Sequence, residues 1–313
     1  MDNLELRIVE ALQIDGRASW RKIASALGEN ERTVARRGSE MLASGVVSVA
    51  AIHLQPASIL IRARCTPGTI EQTLEALASR GDTSFVYAVT GPSDVVAELL
   101  TTPEAMGQLI TKDLPTTPGV VNLETYPALK FYRTIGGWRL GVLSEAEAAA
   151  MGSSGGSDTF LLEPMAELDP ADASILECLQ GDGRMGFEEL GKRVGLSEST
   201  ARRRVESLLS ARQIQIRALI EPRSAGLPVE ALIWFRLSPQ RIATVADSLM
   251  MHRKVRYAAV IAGGYQLLVD VTVKSMNELN EFLSNAEWVG DVDGIETSLI
   301  IGARKRGGRV VPL

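Results

Sequence analysis

At 313 residues the chain exceeds the size of most single cores, so two to four domains are expected. A net charge of −5 excludes a generally basic, non-specific nucleic-acid coat and confines any nucleic-acid contact to a local basic face. The opening MDNLELRIVEAL lacks the regions of a signal peptide, no apolar run approaches the roughly 18 residues that span a bilayer, and His53, His252, Cys65 and Cys178 form no zinc-type cluster. A cytoplasmic protein without membrane partner, metal or cofactor is therefore expected.

The chain opens with three short helical patterns. Leu4, Ile8, Ala11 and Leu12 give a first amphipathic helix that Asp15-Gly16 breaks. Trp20, Ile23, Ala24 and Leu27 mark a second, closed by Gly28, and Asn30 is a suitable N-cap for a third that runs to about Ala43. Residues 46–54 then read as a strand. The following segments alternate in a different order: SILIRAR (58–64) as a strand, 69–79 as a helix, SFVYAV (84–89) and VVAELL (95–100) as strands around the turn Gly91-Pro92-Ser93-Asp94, 103–114 as a helix, and VVNLETY (120–126) as a strand. The stretch SEAEAAAMGSSGGSD (144–158) passes from Ala/Glu to Gly/Ser and reads as a tether.

The plan then repeats. IVEALQIDGRASWRKIASALGENERTVARRGSEML (8–42) aligns without a gap with ILECLQGDGRMGFEELGKRVGLSESTARRRVESLL (175–209), sharing Asp15-Gly16-Arg17 with Asp182-Gly183-Arg184 and Arg36-Arg37 with Arg203-Arg204. A strand at 214–220 follows, then strand 231–237, helix 239–250, strands 255–261 and 266–273 around Gly263-Gly264-Tyr265-Gln266, helix 276–283 and strand 295–301. The fold class is α+β: two copies of a winged helix-turn-helix, each followed by a ferredoxin-like β-α-β-β-α-β domain. The boundaries read 1–47 and 48–140 for copy one, 141–166 for a flexible linker, and 167–216 and 217–313 for copy two.

The third helix of each copy is where binding chemistry could reside. With Val34, Gly38 and Met41 facing the core, Arg32, Ala35, Arg36 and Ser39 face outward. In copy two Ala201, Val205 and Leu208 turn inward, and Ser199, Arg202, Arg203 and Glu206 outward. Thr33, Arg37, Thr200 and Arg204 complete the candidate DNA-contacting set. Arginine on such a helix can pair bidentately with guanine in the major groove. A tri-helical packing unit whose arginines form a solvated face fits the same composition, because Glu31, Glu40, Glu198 and Glu206 lie on these helices too.

These residues carry a resemblance. LQxDGR, the Leu-Gly turn and the T..RR helix, followed by β-α-β-β-α-β with a Gly-x-x-Asp turn, resemble the Lrp/AsnC family of transcription regulators, and do so twice over nearly the whole chain. The resemblance implies a dimer fused head to tail that binds double-stranded DNA and responds to a small effector such as an amino acid. It places effector contacts at Gly91, Asp94, Gly263, Gly264, Tyr265 and Gln266. Association between fused pairs is compatible with it.

The copies differ where the resemblance places function. Unlike third-helix faces predict an asymmetric operator with unlike half-sites. Gly38 opposite Val205 predicts a less stable first head, and Gln266 opposite Asp94 predicts that only one pocket, or neither, binds an amino acid. Trp20 and Phe187 read as packing residues, and the basic run Arg304-Lys305-Arg306 as a solvated terminus. Two rivals stand beside the regulator: an effector-binding protein with degenerate heads, and a sirohaem decarboxylase-like enzyme. The paired arginines weigh against the first, and the absence of histidine from VVAELL and QLLVDV against the second.

Overall fold

The computed structural model describes residues 1–54, 57–153, 168–285 and 287–311. In chain order the elements are α1 (Asn3–Ile14), α2 (Trp20–Leu27), α3 (Glu31–Ala43), β1 (Val47–His53), β2 (Ser58–Cys65), α4 (Ile70–Ala78), β3 (Thr83–Val89), β4 (Val95–Leu100), α5 (Pro103–Gln108), β5 (Val120–Arg133) and α6 (Glu145–Ala150). There follow α7 (Pro170–Gly181), α8 (Phe187–Val194), α9 (Glu198–Ser210), β6 (Ile214–Ile220), β7 (Val229–Arg236), α10 (Ile242–Met250), β8 (Val255–Ile261), β9 (Leu267–Val273), α11 (Met276–Asn285), β10 (Gly294–Arg306) and β11 (Arg309–Val310). Among the described residues no helix is long and apolar enough to cross a membrane.

The elements group into two compact units. The first holds both helical copies, residues 1–54, 139–153 and 168–226. Side-chain caps fix the helix starts: Asp2 and Glu5 form a reciprocal capping box on α1, Asn30 accepts from the Arg32 and Thr33 amides, and Ser197 accepts from the Thr200 amide. Gly28 and Gly195 close α2 and α8 in left-handed conformations.

The strand after each third helix departs from the expected boundaries. It belongs to the helical unit, and in place of a separate wing on each copy β1 pairs antiparallel with β6, from Val47 opposite Ile220 to His53 opposite Ile214. The turn glycines lie beneath this ribbon. The Gly16 amide donates to the Ile216 carbonyl and the Gly183 amide to the Val49 carbonyl, and a Cβ on Gly16 would meet that Ile216 oxygen at 2.7 Å.

Residues 141–153, expected as the start of the linker, are docked on copy one. Ser144 and Glu147 form a capping box on α6, Glu147 pairs with Arg7, and Met151 is buried. The buried Glu10 carboxylate accepts from the Val142 and Leu143 amides, and Gln13 accepts from the Leu140 amide. The segment leading into α6 thus satisfies buried polar groups of α1 that a free tether would leave open. The rest of the expected linker, 154–166, lies outside the described residues.

The second unit, residues 57–138 and 227–311, holds the two β-α-β-β-α-β sequences. Its strands run β10-β3-β4-β2-β5-β8-β9-β7, and β10 pairs again with β7, which closes the sheet. Closure depends on two strands longer than expected. The first part of β5 pairs with β2 and its extension, Ala128 to Arg133, with β8; the first part of β10 pairs with β7 and its extension, Ile300 to Lys305, with β3. The strands are buried on both faces and so read as apolar runs. Ile59, Ile61 and Ala63 pack toward α4, while Leu60 joins Phe85, Tyr87, Phe131, Trp234 and Tyr257 in a separate core between the two halves.

The basic run near the end belongs to this sheet and is no solvated tail. Lys305 donates to the Arg80 carbonyl at 2.5 Å, Arg304 pairs with Glu71, and Arg306 pairs with Glu230 at 2.8 Å, with Lys305 and Arg306 buried.

Candidate DNA-reading helices and effector-domain turns

Helices α3 and α9 face the core with the expected sets: Val34, Gly38 and Met41 are buried on one, Ala201, Val205 and Leu208 on the other. Arg32, Arg36, Ser39, Ser199, Arg202 and Arg203 are exposed, and Ala35 is half-buried. Arg36 pairs with Glu40 at 2.8 Å and Arg202 with Glu198 at 3.1 Å, each one helical turn away. Among the described residues Arg32 and Arg203 make no ion pair.

Four of the candidates serve the helical unit itself. Arg37 pairs with Asp2, and its counterpart Arg204 pairs with Asp169 at 2.6 Å and Asp172 at 2.9 Å, which staples each third helix to the start of the first helix of its own copy. The Glu5 amide and then Arg37 hold the Asp2 carboxyl below the usual carboxylate range, and Arg204 and then the Asp172 amide do the same for Asp169. Thr200 shares its hydroxyl with Ser197 at 2.8 Å, and the Thr33 amide is held by Asn30. The paired arginine motif therefore combines one outward residue, Arg36 or Arg203, with one structural residue.

Gly38 is the place where copy one accommodates Trp20. A Cβ at Gly38 would lie 2.4 Å from the Trp20 ring, whereas copy two has Val205 and the smaller Phe187 at the equivalent positions. The glycine is a packing partner, which corrects its reading as a simple weakness of the first head.

The effector-domain turns also have a structural role that sequence reasoning assigned differently. Asp94 accepts from the Cys65 amide at 2.8 Å, and Gln266 accepts from the Leu237 amide at 3.1 Å. These two bonds occupy equivalent places at the ends of β2 and the strand segment after β7, so the amide replaces the carboxylate without loss of that contact. Asp94 is thus engaged by backbone, as Gln266 is. Gly263 takes φ 142° and a Cβ there would meet the Tyr126 ring at 2.8 Å; Gly91 takes φ 107° and a Cβ there would lie 3.3 Å from the Ser298 hydroxyl.

Of the six turn candidates, Tyr265 alone extends its side chain into a charged cluster. It donates to Glu296 at 2.5 Å, and the same carboxylate receives Arg62 at 2.5 Å. Arg62, only 4% exposed, also lies 3.6 Å from Glu124 and stacks over Trp234 and Tyr265 at 4.9 and 5.6 Å. The Trp234 Nε1 and Ser298 Oγ are buried without a hydrogen-bond partner among the described residues. Arg62 and Trp234 stand at equivalent positions of the two halves, each opposite a glutamate in its strand pair. Sequence reasoning missed this cluster, although an arginine within the apolar run SILIRAR was the available signal.

Comparison with known proteins decides the family. Residues 1–41 and 168–209 match the AsnC-type helix-turn-helix domain, and residues 230–310 match the Lrp/AsnC ligand binding domain. An uncharacterized HTH-type transcriptional regulator of Pyrococcus horikoshii is 35% identical over 145 residues, covering 45% of this chain and 90% of the relative. The chain belongs to the Lrp/AsnC family. Another member, the HTH-type transcriptional regulator FL11 of Pyrococcus furiosus, is 29% identical over 139 residues, covering 44% of this chain and 92% of the relative. Nearly the whole of each Lrp/AsnC relative thus corresponds to less than half of this chain. Among solved structures, the sirohaem decarboxylase NirDL matches with a TM-score of 0.62 at 13% identity, covering 97% of this chain and 93% of that one. That likeness is one of fold. Of the two histidines, His53 ends β1 in the helical unit, and His252 meets the Phe282 ring edge-on at 5.4 Å.

Proposed function

We propose that this Lrp/AsnC protein is a sequence-specific transcriptional regulator whose two helical copies act as a fused pseudo-dimer on an asymmetric operator. One observation carries the reading: α3 and α9 present Arg36 and Arg203 from equivalent exposed positions, within one unit whose copies share a ribbon. Arg32, Ala35 and Ser39 on one helix, and Ser199 and Arg202 on the other, give the two faces unlike chemistry for major-groove edges. Selection of bound duplexes from a random library tests it. Unlike half-sites are the expected result, with each half-site's preference relaxed by Arg36→Ala or Arg203→Ala respectively; a perfect palindrome would overturn the asymmetric operator.

The effector reading centres on Tyr265 and its neighbours. A buried guanidinium, two carboxylates, aromatic faces and two unpartnered polar groups offer complementary contacts to a small zwitterionic metabolite such as an amino acid. Calorimetric titration with the amino acids is the test, and loss of the heat in Tyr265→Phe is expected. The enzyme reading rests on fold likeness alone, and a purified protein without tetrapyrrole absorbance, inert toward sirohaem, is the expected outcome.

A further inference from the structure

The two helical copies carry opposite charges at the start of their second helix. Arg21 and Lys22 lie in the first turn of α2, and Glu188 and Glu189 occupy the same places in α8. All four are exposed. Contacts in each copy fix where that turn lies. Trp20, the first residue of α2, lies against Gly38 of α3; Phe187, its counterpart, carries the Arg202 guanidinium of α9 at 4.4 Å over its ring. The first turn of the second helix therefore borders the third helix in both copies.

The cations also differ in how they are neutralised. In copy two Lys192 pairs with Glu188 at 2.7 Å, Arg193 with Glu189 at 2.6 Å, and Arg202 with Glu198. In copy one Lys22 pairs with Asp15 at 2.8 Å and Arg36 with Glu40 at 2.8 Å, and among the described residues Arg21 and Arg32 of copy one and Arg203 of copy two make no ion pair.

We infer that the chain grips DNA chiefly through its first helical copy, where Arg21 and Lys22 add phosphate contacts beside α3 that Glu188 and Glu189 withhold beside α9. The inference rests on the regulator reading above. Phosphate contacts fix position and affinity without reading sequence, and the helix preceding the recognition helix is the one that crosses the backbone. Cations there release counterions from the duplex, while carboxylates in the same place face the phosphates with like charge. The second copy then contributes to base reading more than to grip, and the operator is anchored from one side.

The test is fluorescence anisotropy of the full chain on a labelled mixed-sequence duplex across a salt series, because phosphate grip needs no operator. Each contact adds about 0.9 to the slope of log affinity against log salt. Arg21→Ala with Lys22→Ala should lower the slope by about 2 and weaken binding on the order of tenfold, whereas Lys192→Ala with Arg193→Ala should change both little. Glu188→Lys with Glu189→Lys should tighten binding and steepen the slope, a gain that misfolding cannot produce. Equal losses from the two alanine pairs, no loss from the first, or no gain from the lysine pair would overturn the inference while leaving the regulator reading in place. Absence of salt-dependent binding by the unmodified chain would overturn both.

Discussion

Arg17 donates to the carbonyls of Gly183 and Met185, and Arg184 donates to those of Gly16 and Ala18, so each arginine closes the Asp-Gly-Arg turn of the other copy. The guanidinium of Arg17 lies 4.4 Å over Phe187 and that of Arg184 lies 4.8 Å over Trp20. Burial, and then the like charge of Arg184, lowers the Arg17 pKa from its ordinary value, so the pair is held together against an electrostatic cost. The repeated motif is thus the clasp of the helical unit.

That clasp needs the planar fork of arginine, which a lysine cannot supply to two carbonyls at once. Arg17→Lys and Arg184→Lys should each lose about 2 kcal/mol of stability, the worth of charged hydrogen bonds broken in a part-buried site. Urea unfolding of the full chain, followed by far-ultraviolet circular dichroism, measures the loss. Unchanged midpoints in both variants would refute the clasp.

Gly38 and Trp20 form a second testable pair. Gly38→Val imports the residue of copy two, but a Cβ there lies 2.4 Å from the Trp20 ring, so overpacking by about 1–3 kcal/mol is expected. Trp20→Phe imports the matching partner. The double variant should recover most of the loss, and a double-mutant cycle with no coupling would show that the two residues do not share the space.

The legible parts of this fold were those governed by local chemistry. Hydrophobic spacing with Asn30, Ser197, Gly28 and Gly195 located the helices, and the inward sets Val34-Gly38-Met41 and Ala201-Val205-Leu208 followed from their period alone. Partnership between the copies was not legible in the same way. Arg17 and Gly183 are far apart in sequence, and the extension of β5 past Pro127 has apolar and charged residues that gain a ladder only when β8 lies beside them. Arg37 and Arg36 look alike as neighbours, yet one faces Asp2 and the other solvent, a difference set by where α1 begins. The candidate site was legible to the same degree. Its outward arginines could be read from helical period, whereas the Arg62 cluster draws on β2, β5, β7 and β10 and on the turn holding Tyr265.

Asp94 and Gln266 make opposite demands on two readings of the effector turns. If Asp94 serves the Cys65 amide, Asp94→Asn should be tolerated, as Gln266 already shows an amide oxygen in that place. Asp94→Ala should cost about 1–3 kcal/mol by leaving the amide unsatisfied. Thermal unfolding separates the two variants, and equal damage from both would return the carboxylate charge to the argument.

Asp270 gives the second unit a pH dependence of unusual sign. Its carboxyl is buried in β9, and burial raises its pKa from 3.8 to about 6; Arg256 and Arg306 oppose the shift and Glu230 adds to it. Arg256 is 3.9 Å away and is engaged more closely by Glu230, at 2.7 Å. An acid whose folded pKa exceeds its unfolded value binds its proton more tightly in the fold. Its contribution to stability is therefore full below the unfolded pKa and is lost as pH rises through the folded one. Asp270→Asn keeps the shape without the charge. Calorimetric melts should show the variant matching the parent chain on the acid side and exceeding it near neutral pH, with the difference opening between about pH 4 and pH 6. A variant that melts below the parent at neutral pH would mean that the charge of Asp270 is needed to balance Arg256 and Arg306, and the assigned direction would then be wrong.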